Sequence, residues 1–397
     1  MSASQVRGRV RLTGRGRRRL EGGHPWVFAD DLAQEEAPPG AVVAVEDPRG
    51  GVVGYGLYSS QSKIRVRVFL RGATPPAEDH WRSRLARSIE ARTRGGLFDA
   101  RGACRLVAGD ADLVPGMVID FYAGVCVLQS GAQGADELRD ELVAGLMATV
   151  APRAIVERSD SAVRRLEGLE KRVGVLHGEL SGEIEVLEDG LVYEVDVLGG
   201  HKTGHYLDQR SNRRLAARGA RGAEFLDAFC YDGLFGIRAA LEGARAVVCL
   251  DQSEGALERA RRNAERNGVL ERVSFERVDV MRELKHRDDF LRRFEIVVVD
   301  PPAFAKNKSE LEGAERGYRE LNTRALALVA SGGLLVSASC SYAMRSELFL
   351  NVLAQAAHAS GRGAYLEQLC GAAPDHPHLL TLPESNYLKC AFLRVRD

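Results

Sequence analysis

Long apolar runs are missing from this 397-residue chain: no stretch approaches the ~20 residues of a membrane span, and the arginine-rich start leads into no signal-peptide core. A soluble, cytoplasmic protein with no membrane partner is the expectation. CxxC pairs are missing too. The seven cysteines, at 104, 126, 230, 249, 340, 370 and 390, are scattered, which argues against a zinc site or a disulfide framework and fits a reducing compartment. No metal is expected. Net charge is also lacking, since 55 Lys and Arg balance 55 Asp and Glu. That balance conceals an asymmetry: the first twenty residues hold Arg7, Arg9, Arg11, Arg15, Arg17, Arg18 and Arg19 and no acid. A basic arm is a footprint of phosphate-backbone binding, with a solvated tail as the alternative.

What the chain does have is length and 45 % hydrophobic residues, enough for two or three domains with sizeable cores. Its organising stretch is Glu224 to Gly236, EFLDAFCYDGLFG, an apolar run that ends in a glycine-containing loop and opens into the helical pattern IRAALEGA. This reads as strand, tight turn and helix. Gly233 and Gly236 allow close backbone approach to a ligand, and free amides at the helix start favour electron-rich groups. The next strand, AVVCLD, ends in Asp251 about twenty residues on, where one carboxylate can accept both hydroxyls of a ribose. The first glycine position of the dinucleotide fingerprint GxGxxG is Tyr231, so pyrophosphate binding is disfavoured and an NAD-linked oxidoreductase becomes a distant option.

Residues 6 to 71 form short β-branched runs between Gly, Pro and Asp turns, the pattern of a small barrel or sandwich, in which Trp26 reads as a core aromatic. The Pro-rich ATPPAEDH, residues 73 to 80, marks a boundary. A mixed α+β stretch follows, closing on a hairpin expected to turn at Asp189 and Gly190. HKTGHYLDQR, residues 201 to 210, reads either as a helix N-terminus capped by Asp208 or as a flap over a cofactor. Beyond it, strands and helices alternate, predicting a doubly wound parallel α/β sheet. Ligands bind at the carboxyl ends of such strands, and Asp227, Asp251, Asp279, Asp300 and Cys340 all fall there. DPPAF, from Asp300 to Phe304, is a rigid extended segment without backbone donors at its prolines, suited to presenting a carboxylate and a carbonyl to a planar ligand.

Phe225 to Gly236, Asp251, Asp279, DPPAF and the strand into Cys340 resemble the successive motifs of class I S-adenosylmethionine-dependent methyltransferases. YLEQLC and YLKCAFLRV resemble the antiparallel hairpin that closes that fold, and the first strands resemble a PUA domain, a small RNA-binding barrel. With HPWVF, GDADLVPGMVID, HKTGHYLDQR and SCS, the chain is similar to the bacterial large-subunit rRNA cytosine C5-methyltransferases over nearly its whole length. The resemblance implies a PUA-like domain at residues 1–74, an α+β middle domain at 75–198 and a Rossmann-like methyltransferase domain at 199–397. It implies Asp227 at the methionine end of S-adenosylmethionine, Asp251 at the ribose, and Asp279 and Val280 at adenine, with Gln252 and Asp300 also among the cofactor-binding residues. Phe229, Tyr231 and Gly233 would line the loop, and Gln209 and Arg210 would close over it. Pro301, Pro302 and Phe304 would meet the target base, with rRNA as partner.

For cytosine, a thiolate adding at C6 makes C5 electron-rich enough to take a methyl group. Cys340 is the expected nucleophile, and Asp300 the group at the Watson–Crick edge that stabilises charge on N3 or orients the exocyclic amine. A second cysteine common among RNA cytosine C5-methyltransferases is replaced by Ala303, Leu234 stands where glycine is expected, and Asp232 replaces a hydroxyl residue. A guanine or adenine N-methyltransferase, which needs no nucleophile, and a non-catalytic RNA-binding assembly factor are the alternatives. A homodimer is left open, because nothing in the sequence specifies an interface.

Overall fold

The arginine-rich start is built into the fold and is no arm. In the computed structural model, which describes residues 4–180, 183–286, 293–305 and 308–397, Val6–Leu12 is a strand and Gly14–Glu21 a helix. Thr13 caps that helix by accepting from the Gly16 amide. Acids meet almost every guanidinium: Arg7 with Glu137 at 3.0 Å, Arg9 with Glu36 at 2.8 Å, Arg11 with Glu46 at 2.9 Å, Arg17 with Glu21 at 2.7 Å, and both Arg15 and Arg19 with Asp31 at 2.7 and 2.9 Å. Strand pairing explains this, because Arg9 lies opposite Glu36 and Arg11 opposite Glu46. Arg18 is the one of the seven arginines without an ion pair among the described residues. The expectation of a free phosphate-binding arm is therefore corrected.

The chain divides into two compact units. The first holds residues 1–187, 195–207 and 374–385 and contains two sheets. One is six-stranded, with Trp26–Phe28, Ile64–Arg71, Val52–Tyr58, Val42–Glu46, Val6–Leu12 and Leu32–Glu36 side by side. Trp26 is half-buried there, and its indole N–H donates to Asp110 at 2.8 Å. The other sheet is five-stranded, built from Ala103–Ala108, Met117–Tyr122, Val125–Ser130, Ala154–Ser159 and Arg172–Gly178, and the helices His80–Arg94 and Gln133–Thr149 belong to its core. The hairpin of Ile184–Glu188 and Leu191–Val195 turns where the sequence indicates, with Asp189 and Gly190 both left-handed at φ 52° and 83°.

The second unit holds residues 188–194, 208–373 and 386–397. Its strands are β1 (Glu224–Ala228), β2 (Ala246–Asp251), β3 (Val273–Arg277), β4 (Phe294–Val299), β5 (Val329–Ser339), β6 (Gly363–Cys370) and β7 (Lys389–Arg396). They lie in the order β3-β2-β1-β4-β5-β7-β6. The first five are parallel, and β7 runs antiparallel between β5 and β6. Helices α1 (Leu234–Leu241), α2 (Glu254–Arg266), α3 (Val280–His286), α4 (Leu311–Leu328) and α5 (Ser346–Ser360) connect them. The chain reverses winding at β1 and β4, so their carboxyl ends flank the crevice where such a sheet binds its ligand. Buried Leu226, Val248, Val297, Val299 and Leu335 form the core beneath.

Candidate active site

The loop from β1 to α1 is drawn tight by left-handed residues, Phe229 at φ 66°, Tyr231 at 52° and Gly233 at 78°. For the two aromatic residues this conformation is strained, and Asp251 helps to hold it. Its carboxylate, at the end of β2, accepts from the Tyr231 and Ser253 amides, each at 2.9 Å, and Arg259 lies over the Tyr231 ring. Gly236 has a different role from the ligand approach anticipated for it. A Cβ there would stand 2.7 Å from Cys249 Sγ and 2.8 Å from Val247 Cγ1, so the missing side chain lets α1 lie against β2. Gly236→Ala is expected to lower stability by about 1–2 kcal/mol, overpacking outweighing the helix propensity gained, seen as a lower urea midpoint for this unit.

Asp227, on β1, is buried, with one oxygen accepting from the Gly236 amide at 2.9 Å and the other without a hydrogen-bond partner among the described residues. Burial pushes its carboxyl up to about 8; the Gly236 amide opposes this, and the like charges of Asp300, Asp251 and Asp232 add to it. The raised group holds a proton in the folded state across a window, roughly pH 4 to 8, in which the unfolded chain has released it. Stability of the free unit therefore falls as pH rises through that window. An orphaned, proton-bearing carboxyl in a ligand crevice fits a cationic group, because a positive charge would restore the ionised form. Binding of S-adenosylmethionine near pH 7 is expected to release close to one proton, none above about pH 9 and none in Asp227→Asn. Calorimetry in buffers of different ionisation enthalpy measures this.

Asp300 follows β4, and Gln209 donates to it at 3.0 Å. Gln209 is itself fixed by Asn212, whose amide donates to it at 2.6 Å and to the Gly371 carbonyl at 3.1 Å. One strand over, Cys340 follows β5 and is half-buried. The residues on either side of it are clamped: Ser339 donates to the Tyr318 hydroxyl at 2.9 Å, and the Ser341 hydroxyl shares a bond with it at 3.0 Å. The Ala305 amide, just past DPPAF, donates to Ser341 at 3.3 Å and ties the two strand ends together. Tyr318, from α4, is buried and has its phenol pushed up to about 12, chiefly by burial. Lys389, at the start of β7, is buried as well and donates at 2.8 Å to the carbonyls of Ser341 and Tyr387. Sequence reasoning missed Tyr318, Asn212 and Lys389; only Lys389 left a signal, a lysine within the apolar run YLKCAFLRV.

Asp279 caps α3 by accepting from the Arg282 amide at 3.1 Å, while the Val280 side chain is buried in the core. Gln252 is exposed beside Asp251. Arg210 lies 3.9 Å from Glu188, both of whose carboxylate oxygens accept from Arg213 Nη2. Pro301 is buried and Pro302 exposed, and Phe304 packs on Tyr318 with ring centres 4.6 Å apart. Asp208 is not the cap expected of it. The helix Arg210–Ala216 begins after Gln209 without a side-chain cap, and Asp208 instead accepts from the Tyr387 hydroxyl at 2.7 Å.

A doubly wound sheet closed by an antiparallel strand, a strained glycine loop and acids at successive strand ends define an S-adenosylmethionine-dependent methyltransferase. The model of that family matches residues 137–380, and a PUA-like domain matches residues 10–71. The chain belongs to the family of the curated proteins called ribosomal RNA large subunit methyltransferase I. It is 39 % identical to the one from Tolumonas auensis over 94 % of this chain and 95 % of the relative, and 38 % identical to the one from Shewanella frigidimarina over 98 % and 99 %. Among solved structures, a Streptococcus mutans chain assigned to the S-adenosylmethionine-dependent methyltransferases shares the fold, with a TM-score of 0.83 at 20 % identity and coverage of 98 % of this chain and 100 % of that one.

Proposed function

We propose that the protein methylates C5 of a cytosine in large-subunit ribosomal RNA through a transient cysteine adduct. The observation that carries this reading is a cysteine held at the carboxyl end of β5, one strand from an acid at the carboxyl end of β4, with the residues flanking it pinned by Tyr318. The cofactor supplies an electrophilic methyl group on a sulfonium. Asp227 would meet its methionine end, Asp251 would accept from the ribose with Gln252 beside it, and Asp279 and the Val280 backbone would border adenine. Phe229, Tyr231 and Gly233 line the loop, and Gln209 and Arg210 border it from the preceding segment.

The Cys340 thiolate forms a bond to C6 of the ring, and the displaced π electrons reach N3, where Asp300 supports the developing charge as donor. C5 then has the electron density to take the methyl group. Loss of the C5 proton to a base and expulsion of the thiolate restore the C5–C6 double bond. Pro301, Pro302 and Phe304 shape the base pocket. The PUA-like residues 1–74 contribute RNA binding, ahead of the module at 75–198 and the catalytic domain at 199–397, and the substrate places the enzyme in the cytoplasm.

The names of the relatives support the RNA class. Deleting the gene and digesting large-subunit rRNA to nucleosides tests the base: loss of one 5-methylcytidine is expected. Loss of a methylated purine, with all methylcytidines intact, would overturn the assignment in favour of an N-methyltransferase.

A further inference from the structure

Lys389 is a buried lysine in the strand next to the one that ends at the nucleophile. Register places it opposite Ser339, immediately before Cys340, and its ammonium group bonds the carbonyl of Ser341, immediately after it. The charge is therefore wrapped by the turn that presents the thiol. Two of its three donors go to neutral carbonyls, those of Ser341 and Tyr387, and it makes no ion pair with a carboxylate among the described residues. Two carbonyl dipoles offset a buried ammonium only in part. Burial draws Lys389 down to about 8, and the group that acts against this is Cys340. Coupling of this kind is mutual, since what a thiolate does for the ammonium the ammonium does for the thiolate.

We propose that Lys389 is a positioning residue that holds the Cys340 sulfur as a thiolate, poised for attack on the base. The proposal rests on the reading of Cys340 as nucleophile. The thiol's proton leaves to solvent, and the sulfur keeps its electron pair for the bond to C6. Among the described residues, burial and the charges of Cys340 and Asp300 push the Tyr318 phenol on α4 up, and burial and the charges of Asp300 and Cys370 push the Cys390 thiol on β7 up, so these acids oppose a further negative charge and Lys389 is placed to offset it. A lysine whose work was only to strap the turn together would need its hydrogen bonds and no charge.

The test is the pH dependence of Cys340 alkylation by iodoacetamide in the full chain, read at the level of the Cys340 peptide by mass spectrometry. In the natural protein the half-maximal rate is expected at least about one pH unit below the ordinary thiol value of about 8.5. Lys389→Gln, which keeps a donor but no charge, should move it up by about a unit or more, and Lys389→Arg should bring it back down. Methyl transfer by Lys389→Gln should fall about tenfold near pH 7 and recover at higher pH. An ordinary titration of Cys340 in the natural protein, or identical profiles with and without the charge, would overturn the proposal. An active Cys340→Ala variant beside an intact shift would remove the cytosine reading while leaving the hold of Lys389 on the thiol in place.

Discussion

Cys340→Ala is expected to abolish methyl transfer, with a loss of about 10⁴-fold or more in kcat, while S-adenosylmethionine still binds with nearly unchanged affinity. A nucleophile acts only in the chemical step, so its removal leaves cofactor binding alone. Cys340 follows β5, whereas the loop and the acids Asp227, Asp251 and Asp279 assigned to the cofactor lie at or just past the ends of β1, β2 and β3, so the two functions draw on different strand ends. Ring activation has no second source, because C5 of an intact cytosine is too poor a nucleophile for a methyl sulfonium. A direct companion is adduct capture. RNA carrying 5-fluorocytosine cannot lose a C5 proton, so the natural protein should stay bonded to it through denaturing electrophoresis and Cys340→Ala should not. Substantial activity in the alanine variant would point to a ring or exocyclic nitrogen as the methyl acceptor.

Asp300→Asn is expected to lower kcat by about 10²–10³-fold, with cofactor affinity changed by a few-fold at most. The substitution is isosteric, and the Asn oxygen can still accept from Gln209, so the strand end keeps its geometry. What disappears is the oxygen that can carry a proton toward N3. Gln209→Ala should cost less, because it loosens Asp300 without removing its chemistry. Single-turnover transfer to RNA separates the two variants, and a fall confined to KM in Asp300→Asn would reassign the acid to ground-state binding of the base.

Much of the catalytic half was legible along the chain. The parallel strands of that sheet are mostly β-branched or apolar runs with a polar residue at or just past the end, and this pattern places Asp227, Asp251, Asp279, Asp300 and Cys340 at one edge. The hairpin turn at Asp189 and Gly190 was equally local, since two consecutive left-handed residues require such a pair. The glycines were less transparent. Gly236 reads as ligand clearance in sequence, but the atoms that need its missing side chain lie on β2, and only the folded sheet brings Cys249 and Val247 there. Asp208 has the composition of a cap, yet its partner is Tyr387, 179 residues away in sequence.

Alternation, punctuation and acids at strand ends, which are local properties, determined by themselves the doubly wound class, the strand-turn-helix loop after β1 and the placing of Cys340 among the polar residues at the strand ends. Tertiary structure alone decided the electrostatics. The N-terminal arginines read as an exposed arm until the folded chain brings Glu36 against Arg9, Glu46 against Arg11, and Asp31 against Arg15 and Arg19. Asp227 becomes a proton carrier, and Lys389 a cation behind a thiol, only through burial and neighbours supplied by distant segments. A charge's behaviour depends on the dielectric and the charges within a few ångströms of it, and those belong to the packed fold.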